Sequence, residues 1–311
     1  QGDFHNARQL LQALARRTER KPKKSKKPEP EVAPLQAFNA HRQALGQRAR
    51  ILAMVIVPME GDYTIPLRRA PDLKLACTEA WGPASGEACM VSMRELLGVV
   101  GAHEWRKNGV EIAALGDAPH NRIHPHYGVF SPVRGEYVDL VANAPIKDKS
   151  LAFDIGVGTG VLSAVLAKRG VQRIVATDQD PRALVCAREN LKRLQRIDKV
   201  ELVQTDLFPE GLAPLIVCNP PWVPARPSSP IEHAVYDEGS RMLRGFLSGL
   251  RAHLAPAGEG WLILSDLAEH LGLRSREELL GWISDAGLQV LGRNDIKPRH
   301  GKATDETDPL H

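Results

Sequence analysis

The chain has 311 residues and a formal net charge of +4, and 43% of its residues are hydrophobic while 25% are charged. This composition is typical of a globular protein of one or two domains, and the absence of any run of about eighteen apolar residues excludes a membrane-spanning helix. The four cysteines form no CxxC pair, which argues against a zinc ribbon or a redox motif and favours a cytoplasmic location.

The positive charge is concentrated near the N-terminus. The run Arg16–Lys27 holds eight basic residues and one acid, a local charge of +7 that leaves −3 for the rest of the chain. Such a run either attracts the phosphate backbone of a nucleic acid or serves as a solvated linker, and both interpretations stay open. Leucines at helical spacing predict a helix over 7–20, and the Lys- and Pro-rich composition of 21–34 predicts a flexible linker. Residues 1–34 are therefore assigned as a basic tail and linker.

Residues 35–148 mix helix and strand signals and are expected to form a smaller α+β domain. The patterns predict a helix over 35–48, a strand over 51–58, a helix around 88–101 and short hairpin-like strands from 109 to 130.

From residue 149 onward, strands and helices alternate regularly. This alternation indicates a doubly wound, mainly parallel sheet that is covered by helices on both faces. The predicted strands are 151–155, 173–177, 200–203, 215–218, 261–264 and 288–291, and the predicted helices are 160–169, 181–194, 238–254 and 274–286.

A glycine-rich turn follows the first predicted strand of this domain. Gly156, Gly158 and Gly160 allow a close approach of the backbone to a ligand, and the helix that begins after Thr159 and Gly160 presents free N–H groups. Two details distinguish the turn from a dinucleotide fingerprint, namely its GxGxG spacing and the acid Asp154 two residues before the first glycine. A carboxylate there disfavours a pyrophosphate and suits a ligand that carries an ammonium group.

Two further acids close the next strands. Asp178 lies 22 residues after Gly156, where a carboxylate can accept both hydroxyls of a ribose. Asp206, followed by Leu207, ends the third strand and is placed to accept from an exocyclic adenine amine. Because ligands bind at the carboxyl ends of parallel strands, we expect Asp154, Asp178 and Asp206 to surround one site.

The stretch Asn219-Pro220-Pro221-Trp222 follows the fourth predicted strand. The two prolines remove two backbone donors and fix two φ angles, so the loop is stiff. Asn219 Oδ1 and the carbonyl of Pro220 can accept two hydrogen bonds, and Trp222 offers a flat apolar face. The stretch predicts a site that accepts both N–H groups of a planar nitrogen and stacks on its plane.

These motifs together resemble the class I S-adenosylmethionine-dependent methyltransferases. The shared order is Asp154-x-Gly-x-Gly-Thr-Gly, then Asp178, Asp206 and Asn219-Pro-Pro-Trp222. Over roughly residues 108–296 the chain is similar to the small-domain N-methyltransferases, which include protein-glutamine N5-methyltransferases and ribosomal-RNA N-methyltransferases. The resemblance implies a Rossmann-like fold, S-adenosylmethionine as the cofactor and methylation of a nitrogen in a macromolecule.

The resemblance also implies roles for individual residues. The Gly156–Gly160 loop would hold the methionine part of the cofactor, Asp178 its ribose, and Asp206 with Leu207 its adenine region. Asn219 would contact both the cofactor and the accepting nitrogen.

A segment before the first strand is similar to the cofactor cover of the glutamine-modifying enzymes. It places Phe130 and Pro132 in a lid that leads into a helix over 134–143. Residues 35–148 would then combine substrate recognition with the cofactor lid, and residues 149–311 would form the catalytic domain.

The substrate class stays open at this point. The cover segment favours protein glutamine, whereas the basic tail and the region Tyr236–Arg241, which departs from the Gly-Gly-x-Asp-Gly-Leu segment of the glutamine-modifying enzymes, favour RNA or DNA. Arg226, in the loop after the motif, is a candidate for contact with a phosphate or a carbonyl of the substrate. Trp222 replaces the commoner Tyr or Phe of the motif, which enlarges the stacking face and removes a hydroxyl donor.

Two other functions are less consistent with the sequence. The alternatives are a nicotinamide-dependent dehydrogenase and a non-catalytic RNA-binding protein of the same fold. Asp154, the GxGxG spacing and the Asn-Pro-Pro-Trp motif argue against the dehydrogenase. The presence of all four polar motif residues, Asp154, Asp178, Asp206 and Asn219, argues against a non-catalytic protein. The cluster of His120, His124 and His126 has no nearby cysteine or acid that completes a tetrahedral set, so no metal is expected.

Overall fold

The computed structural model describes residues 2–19, 33–133, 135–227, 232 and 235–298, which belong to two compact units, 1–107 and 108–311. Most of the basic run Arg16–Lys27 and the predicted linker lie outside the described residues. In the part of the chain that is described, no helix is long and apolar enough to cross a membrane.

The first unit combines helices with a small antiparallel sheet. Helix α1 begins after Asp3, whose carboxylate accepts from the Asn6 N–H at 3.1 Å and so caps the helix. The same carboxylate pairs with the Arg69 guanidinium at 2.8 Å, which ties the helix start to a distant loop. The elements are α1 (Phe4–Thr18), α2 (Pro34–Ala53), β1 (Ile56–Met59), α3 (Lys74–Trp81), β2 (Cys89–Ser92) and α4 (Met93–Asn108), and β1 pairs with β2.

The second unit is built on a parallel sheet of five strands within the described residues. A short hairpin and one helix precede the sheet, and the strand order is β7-β6-β5-β8-β9. The elements are β3 (Val110–Glu111), β4 (Arg122–Ile123), α5 (Glu136–Asn143), β5 (Leu151–Ile155), α6 (Val161–Lys168), β6 (Arg173–Asp178), α7 (Pro181–Arg193), β7 (Val200–Gln204), β8 (Ala213–Cys218), α8 (Arg241–His253), β9 (Leu254–Leu262), α9 (Leu267–His270) and α10 (Arg276–Asp285).

Apolar residues bury both faces of this sheet. Alternate residues of a strand point to opposite faces, so Ala152 of β5 joins the cluster beneath α5, α6 and α7, while Phe153 joins the cluster beneath α8. Strand β5 is buried along nearly its whole length, as expected for a central parallel strand. Helix α7 is amphipathic, with Asp180 as its N-cap and Pro181 at its first position.

The strand order reverses between β5 and β8. The chain leaves β5 through α6 toward β6 on one side, and β8 enters the sheet on the other side of β5. In an open α/β sheet, ligands bind in the crevice outside the carboxyl ends of the strands at such a switch point. The residues that follow Ile155 and Cys218 therefore lie where a ligand is expected.

Several elements differ from the sequence predictions. Helix α3 carries no clear periodic signal and was not predicted. Helix α2 continues to Ala53, so the strand predicted over 51–58 is shortened to Ile56–Met59. The strand predicted over 288–291 is wrong, because these residues have no sheet partner and Val290 and Leu291 are 52% and 71% exposed.

The division into units also differs from the expected domain boundary. The boundary between the compact units follows Lys107 along the chain, whereas the sequence predicts a boundary after residue 148. The physical reason is that residues of the hairpin and of α5, among them Ile123 and Tyr137, are buried in the same apolar cluster as α6. The proposed lid segment therefore belongs to the unit that contains the sheet.

Candidate active site

The register of the central strands brings the predicted site residues together. Ile155 of β5 pairs with Thr177 of β6 on one side and with Cys218 of β8 on the other. The next residue along each strand or its loop is Gly156, Asp178 and Asn219. The glycine turn, the predicted ribose acid and the Asn-Pro-Pro-Trp loop thus leave the same edge of the sheet side by side.

The glycine turn is folded tightly over the end of β6. The N–H groups of Gly156 and Val157 both donate to the Thr177 carbonyl, at 2.9 and 2.8 Å. Gly156 has a φ of 79°, a left-handed conformation that favours glycine, and a Cβ placed on it would lie 2.7 Å from the Met242 side chain. Met242, at the start of α8, therefore lies over the turn. No sequence pattern pointed to this residue.

Asp178 connects the turn to the neighbouring strand. Its carboxylate accepts from the Gly158 N–H at 3.1 Å and from the Asp180 N–H at 3.0 Å. Burial raises the pKa of Asp178, and these two backbone hydrogen bonds oppose that rise because they favour the charged form. Each oxygen retains a further lone pair, so the carboxylate can still accept from a ligand.

Asp154 is enclosed rather than open to the site. The residue is only 1% exposed, and its carboxylate accepts from Ser163 Oγ at 2.6 Å. Burial raises the pKa of Asp154 to about 6, and the Ser163 hydrogen bond opposes that rise. Sequence reasoning places this acid correctly at the strand end but does not foresee its enclosure beneath the turn.

Asp206 and Leu207 lie beyond the end of β7. The Asp206 carboxylate pairs with the Arg241 guanidinium at 2.5 Å, but both side chains are more than half exposed, so the pair contributes only about 0–1 kcal/mol to stability. Leu207 has a φ of 70°, and its carbonyl accepts from Thr177 Oγ1. A left-handed leucine is a strained position that its surroundings must hold in place.

The Asn219–Trp222 loop contains a side-chain hydrogen bond that the sequence reasoning missed. The indole N–H of Trp222 donates to Asn219 Oδ1 at 2.9 Å. The indole ring meets Tyr137 edge-on, with ring centroids 6.5 Å apart and an interplanar angle of 83°. Pro220 is buried, whereas Asn219 and Trp222 are partly exposed, as a site for a ligand requires.

The chain after the loop is anchored to α8. Val223 donates its N–H to the Val235 carbonyl at 3.0 Å and accepts from the Asp237 N–H at 2.9 Å. The Asp237 carboxylate accepts from the Met242 N–H at 2.8 Å, within the first turn of α8. Asp237 thus fixes the returning chain to the helix that carries Met242.

The segment before the sheet is held by α7. Asn190, which is fully buried, accepts from the His124 N–H at 2.8 Å, and its Nδ2 donates to the carbonyls of His124 at 3.2 Å and Thr159 at 3.1 Å. One amide therefore connects the cover segment to the glycine turn. A buried asparagine inside an amphipathic helix is the sequence signal that could have identified it.

The predicted lid residues lie further along the same segment. Phe130 packs against the apolar cluster under α6, and Pro132 is buried. Pro132 also lines a surface depression with Ile112 and Glu136. Within the described part of the chain, none of the strand-end residues lines this depression.

The remaining candidates are exposed or have other partners. Arg226 is exposed, and residues 228–231, 233 and 234 beyond it lie outside the described part of the chain. Among the described residues, no group of three His, Cys, Asp or Glu side chains is placed to hold a metal ion. His126 instead pairs with Glu189 at 2.9 Å.

The sheet order, the glycine turn after the central strand and the acid that closes the neighbouring strand are those of a Rossmann-like fold with its ligand site at the switch point. Sequence similarity identifies this fold as that of a class I S-adenosylmethionine-dependent methyltransferase. Residues 121–269 match the methyltransferase small domain family. The chain belongs to this family. The Rossmann-like fold and S-adenosylmethionine as cofactor, both predicted from the sequence, are confirmed, and a nicotinamide-dependent dehydrogenase is not supported.

Proteins similar to this chain are named for different substrates. A provisionally named protein N5-glutamine methyltransferase of Methanocaldococcus jannaschii is 30% identical over 154 residues, which cover 47% of this chain and 76% of that protein. A tRNA1(Val) (adenine(37)-N6)-methyltransferase of Shewanella loihica is 30% identical over 183 residues, covering 55% and 72%. The crystal structure of a ribosomal protein L11 methylase from Lactobacillus delbrueckii subsp. bulgaricus is 18% identical, with a TM-score of 0.42 over 55% of this chain and 77% of that one.

Proposed function

We propose that this methyltransferase transfers a methyl group to a planar amide or exocyclic amine nitrogen of a macromolecule. The observation that carries the proposal is the position of Asn219. Its carboxamide follows β8 directly, beside the glycine turn that follows β5, because Cys218 pairs with Ile155. A side chain that can accept a hydrogen bond thus lies next to the expected cofactor loop.

The residues around the turn fit the cofactor. The left-handed Gly158, whose Cβ position faces open space, leaves the backbone open to a close approach by the methionine part, with Thr159 and Gly160 completing the turn before α6. The Asp178 carboxylate has acceptor capacity left for the ribose hydroxyls. Asp206 and Leu207 would adjoin the adenine, and Phe130 and Pro132 would cover the cofactor.

Asp154 would act from beneath the turn. Its enclosed carboxylate is not a solvent-open ligand, but its charge would lie behind the loop proposed to receive the methionine part. A nearby ammonium group would lower its pKa and so favour the ionised form.

The cofactor supplies an electrophilic methyl group on a sulfonium when it is bound. The nitrogen that receives it is planar, and its lone pair is delocalised into the adjoining π system. Asn219 Oδ1 and the Pro220 carbonyl would accept hydrogen bonds from the two N–H groups of that nitrogen. These bonds favour a pyramidal nitrogen and stabilise the positive charge that develops on it during transfer.

The two prolines and Trp222 would orient the substrate. Pro220 and Pro221 contribute no N–H donor that competes for the acceptors, and their fixed φ angles keep the acceptors in place. Trp222, held edge-on against Tyr137, would stack on the planar amide or base. Such positioning, together with the exclusion of water, is what an in-line displacement requires.

Two substrate classes are consistent with the relatives. One is named for protein glutamine and another for a tRNA adenine, and both kinds of nitrogen are planar and carry two hydrogens. The N-terminal unit would select between them. The N-terminal unit carries 18 basic and 11 acidic residues, whereas the second unit carries 23 basic and 26 acidic residues. The excess of basic residues favours contact with an acidic partner such as RNA through the region of Arg16–Lys27.

The cellular location belongs to the same proposal. Cys77, Cys89, Cys186 and Cys218 are all free thiols, which suits a reducing compartment such as the cytoplasm.

The experiment that tests the substrate class is transfer of a labelled methyl group into extract from a deletion strain. The extract is then split and digested with protease or with nuclease. Release of the label by protease identifies a protein nitrogen, and release by nuclease identifies a base. If the protein binds the cofactor but no label is incorporated into the extract, the proposal is contradicted and a non-catalytic RNA-binding role is favoured.

A further inference from the structure

We infer that the indole N–H of Trp222 fixes the orientation of the Asn219 carboxamide, so that Trp222 is a positioning residue as well as a stacking surface. This inference rests on the proposed function, because it concerns the acceptor that Asn219 offers to the substrate nitrogen. It assigns to tryptophan a task that neither phenylalanine nor tyrosine could perform at this position.

A carboxamide needs such a constraint because its two ends have opposite hydrogen-bonding character. Oδ1 accepts and Nδ2 donates, and rotation by half a turn exchanges them. If Nδ2 faced the substrate, two donors would oppose each other and the transition state would lose its acceptor. An indole N–H only donates, so the 2.9 Å bond to Asn219 selects Oδ1 on that side.

The indole is itself held and can therefore impose the orientation. Its edge contact with Tyr137 joins it to a residue that is only 6% exposed, and its ring packs against the apolar cluster beneath α6. Pro220 and Pro221 stand between Asn219 and Trp222, and their fixed φ angles limit how far the two side chains can separate. The donor cannot follow a rotated amide.

One acceptor position on Asn219 remains for the substrate. A carbonyl oxygen has two lone pairs, and Trp222 uses one of them. Phenylalanine has no donor, and the hydroxyl of tyrosine lies at the far end of its ring. A chain with either residue in this place must orient its asparagine by other means.

A double-mutant cycle tests the inference with Trp222→Phe and Asn219→Asp. The two oxygens of a carboxylate are equivalent, so a carboxylate at position 219 presents the same acceptor after rotation and needs no orienting donor. Trp222→Phe also reduces the stacking face, but it does so in both backgrounds. The loss of stacking therefore cancels, and the cycle isolates the effect of the indole N–H on residue 219. The bond to a carboxylate is the stronger one, so a smaller cost in the Asn219→Asp background can only come from the lost need for orientation.

The expected result is a larger cost of Trp222→Phe in the asparagine background. With Asn219 present, we expect kcat to fall about tenfold and the affinity for S-adenosylhomocysteine to stay within about twofold, in line with the loss of one hydrogen bond. In the Asn219→Asp background, Trp222→Phe should lower kcat by no more than about threefold. Equal costs in both backgrounds would overturn the inference and leave stacking as the explanation.

A second measurement decides the question if Asn219→Asp has no measurable turnover. The chain has five tryptophans, and the Trp222 indole signal in a proton–nitrogen spectrum is the one lost in Trp222→Phe. Asn219→Ala should speed the hydrogen exchange of that signal at least about fivefold, because the loss of its acceptor removes a hydrogen bond of about 1 kcal/mol. Unchanged exchange would overturn the inference, whereas retained transfer activity in Asn219→Ala would instead overturn the proposed function.

Discussion

The two halves of the candidate site are built in different ways. At the ends of β5 and β6, backbone N–H groups donate, the Gly156 N–H to the Thr177 carbonyl and the Gly158 N–H to the Asp178 carboxylate. At the end of β8, side chains make them, as where Trp222 donates to Asn219 and meets Tyr137.

This difference indicates which part of the site determines cofactor binding and which part determines methyl transfer. The backbone half is fixed by strand register and glycine conformation, and it suits a cofactor that does not vary. The side-chain half depends on a few exchangeable residues, and it suits an accepting group that varies among relatives. Changes in the first half should therefore weaken cofactor binding, and changes in the second should slow transfer with binding intact.

The largest effect on binding is expected for Asp178→Ala. The change removes both the proposed ribose acceptor and the bond that holds Gly158, so we expect the Kd for S-adenosylhomocysteine to rise about a hundredfold by calorimetry, since hydrogen bonds to charged groups contribute about 1.5–3 kcal/mol. Asp198→Ala, at an exposed acid of the same unit, is the matched control and should leave the Kd unchanged. An equal Kd in both variants would remove Asp178 from the cofactor site.

A smaller effect on binding is expected for Asn190→Leu. The change breaks the connection between the His124 backbone and the Thr159 carbonyl, so the cover segment and the glycine turn lose their common support. We expect the Kd for S-adenosylhomocysteine to rise about tenfold, in line with the loss of one or two hydrogen bonds. Asn143→Leu, at an exposed position of α5, is the control, and hydrogen exchange of the cover segment should increase only in the first variant.

The contrast between the halves also explains what the sequence could predict. Strands β5 to β8, the glycine turn and Asp178 depend on local apolar runs and on strand order, so their positions follow from the pattern. The support by Asn190 and the placement of Met242 depend on contacts between distant segments, and the bond between Trp222 and Asn219 depends on side-chain conformations that an apolar pattern does not encode. Residues 288–291 show the converse, since a local apolar run does not by itself determine that a segment pairs with a sheet.

The smallest effect concerns Asp154, which lies beneath both halves. Because its pKa is raised to about 6 in the folded chain, the native state binds this proton more tightly than the unfolded state. The contribution of Asp154 to stability is therefore present at acid pH and is lost as the pH rises to about 6. Asp154→Asn should raise the free energy of unfolding by about 1–3 kcal/mol at pH 8 and by less at pH 5.

Urea unfolding without cofactor at the two pH values measures this difference. Asp198→Asn serves as the control, because an exposed acid should show no such dependence. A gain in Asp154→Asn that is equal at both pH values would show that burial does not raise the pKa of this acid.

The most direct test of the central claim is Asn219→Ala, assayed for labelled methyl transfer and for S-adenosylhomocysteine binding on one preparation. Removal of the acceptor should lower transfer by about a hundredfold or more, as for the loss of other transition-state hydrogen bonds, while the Kd changes by less than about threefold. A large loss of cofactor affinity, or transfer close to that of the unchanged chain, would contradict the assignment of Asn219 to the transfer half of the site.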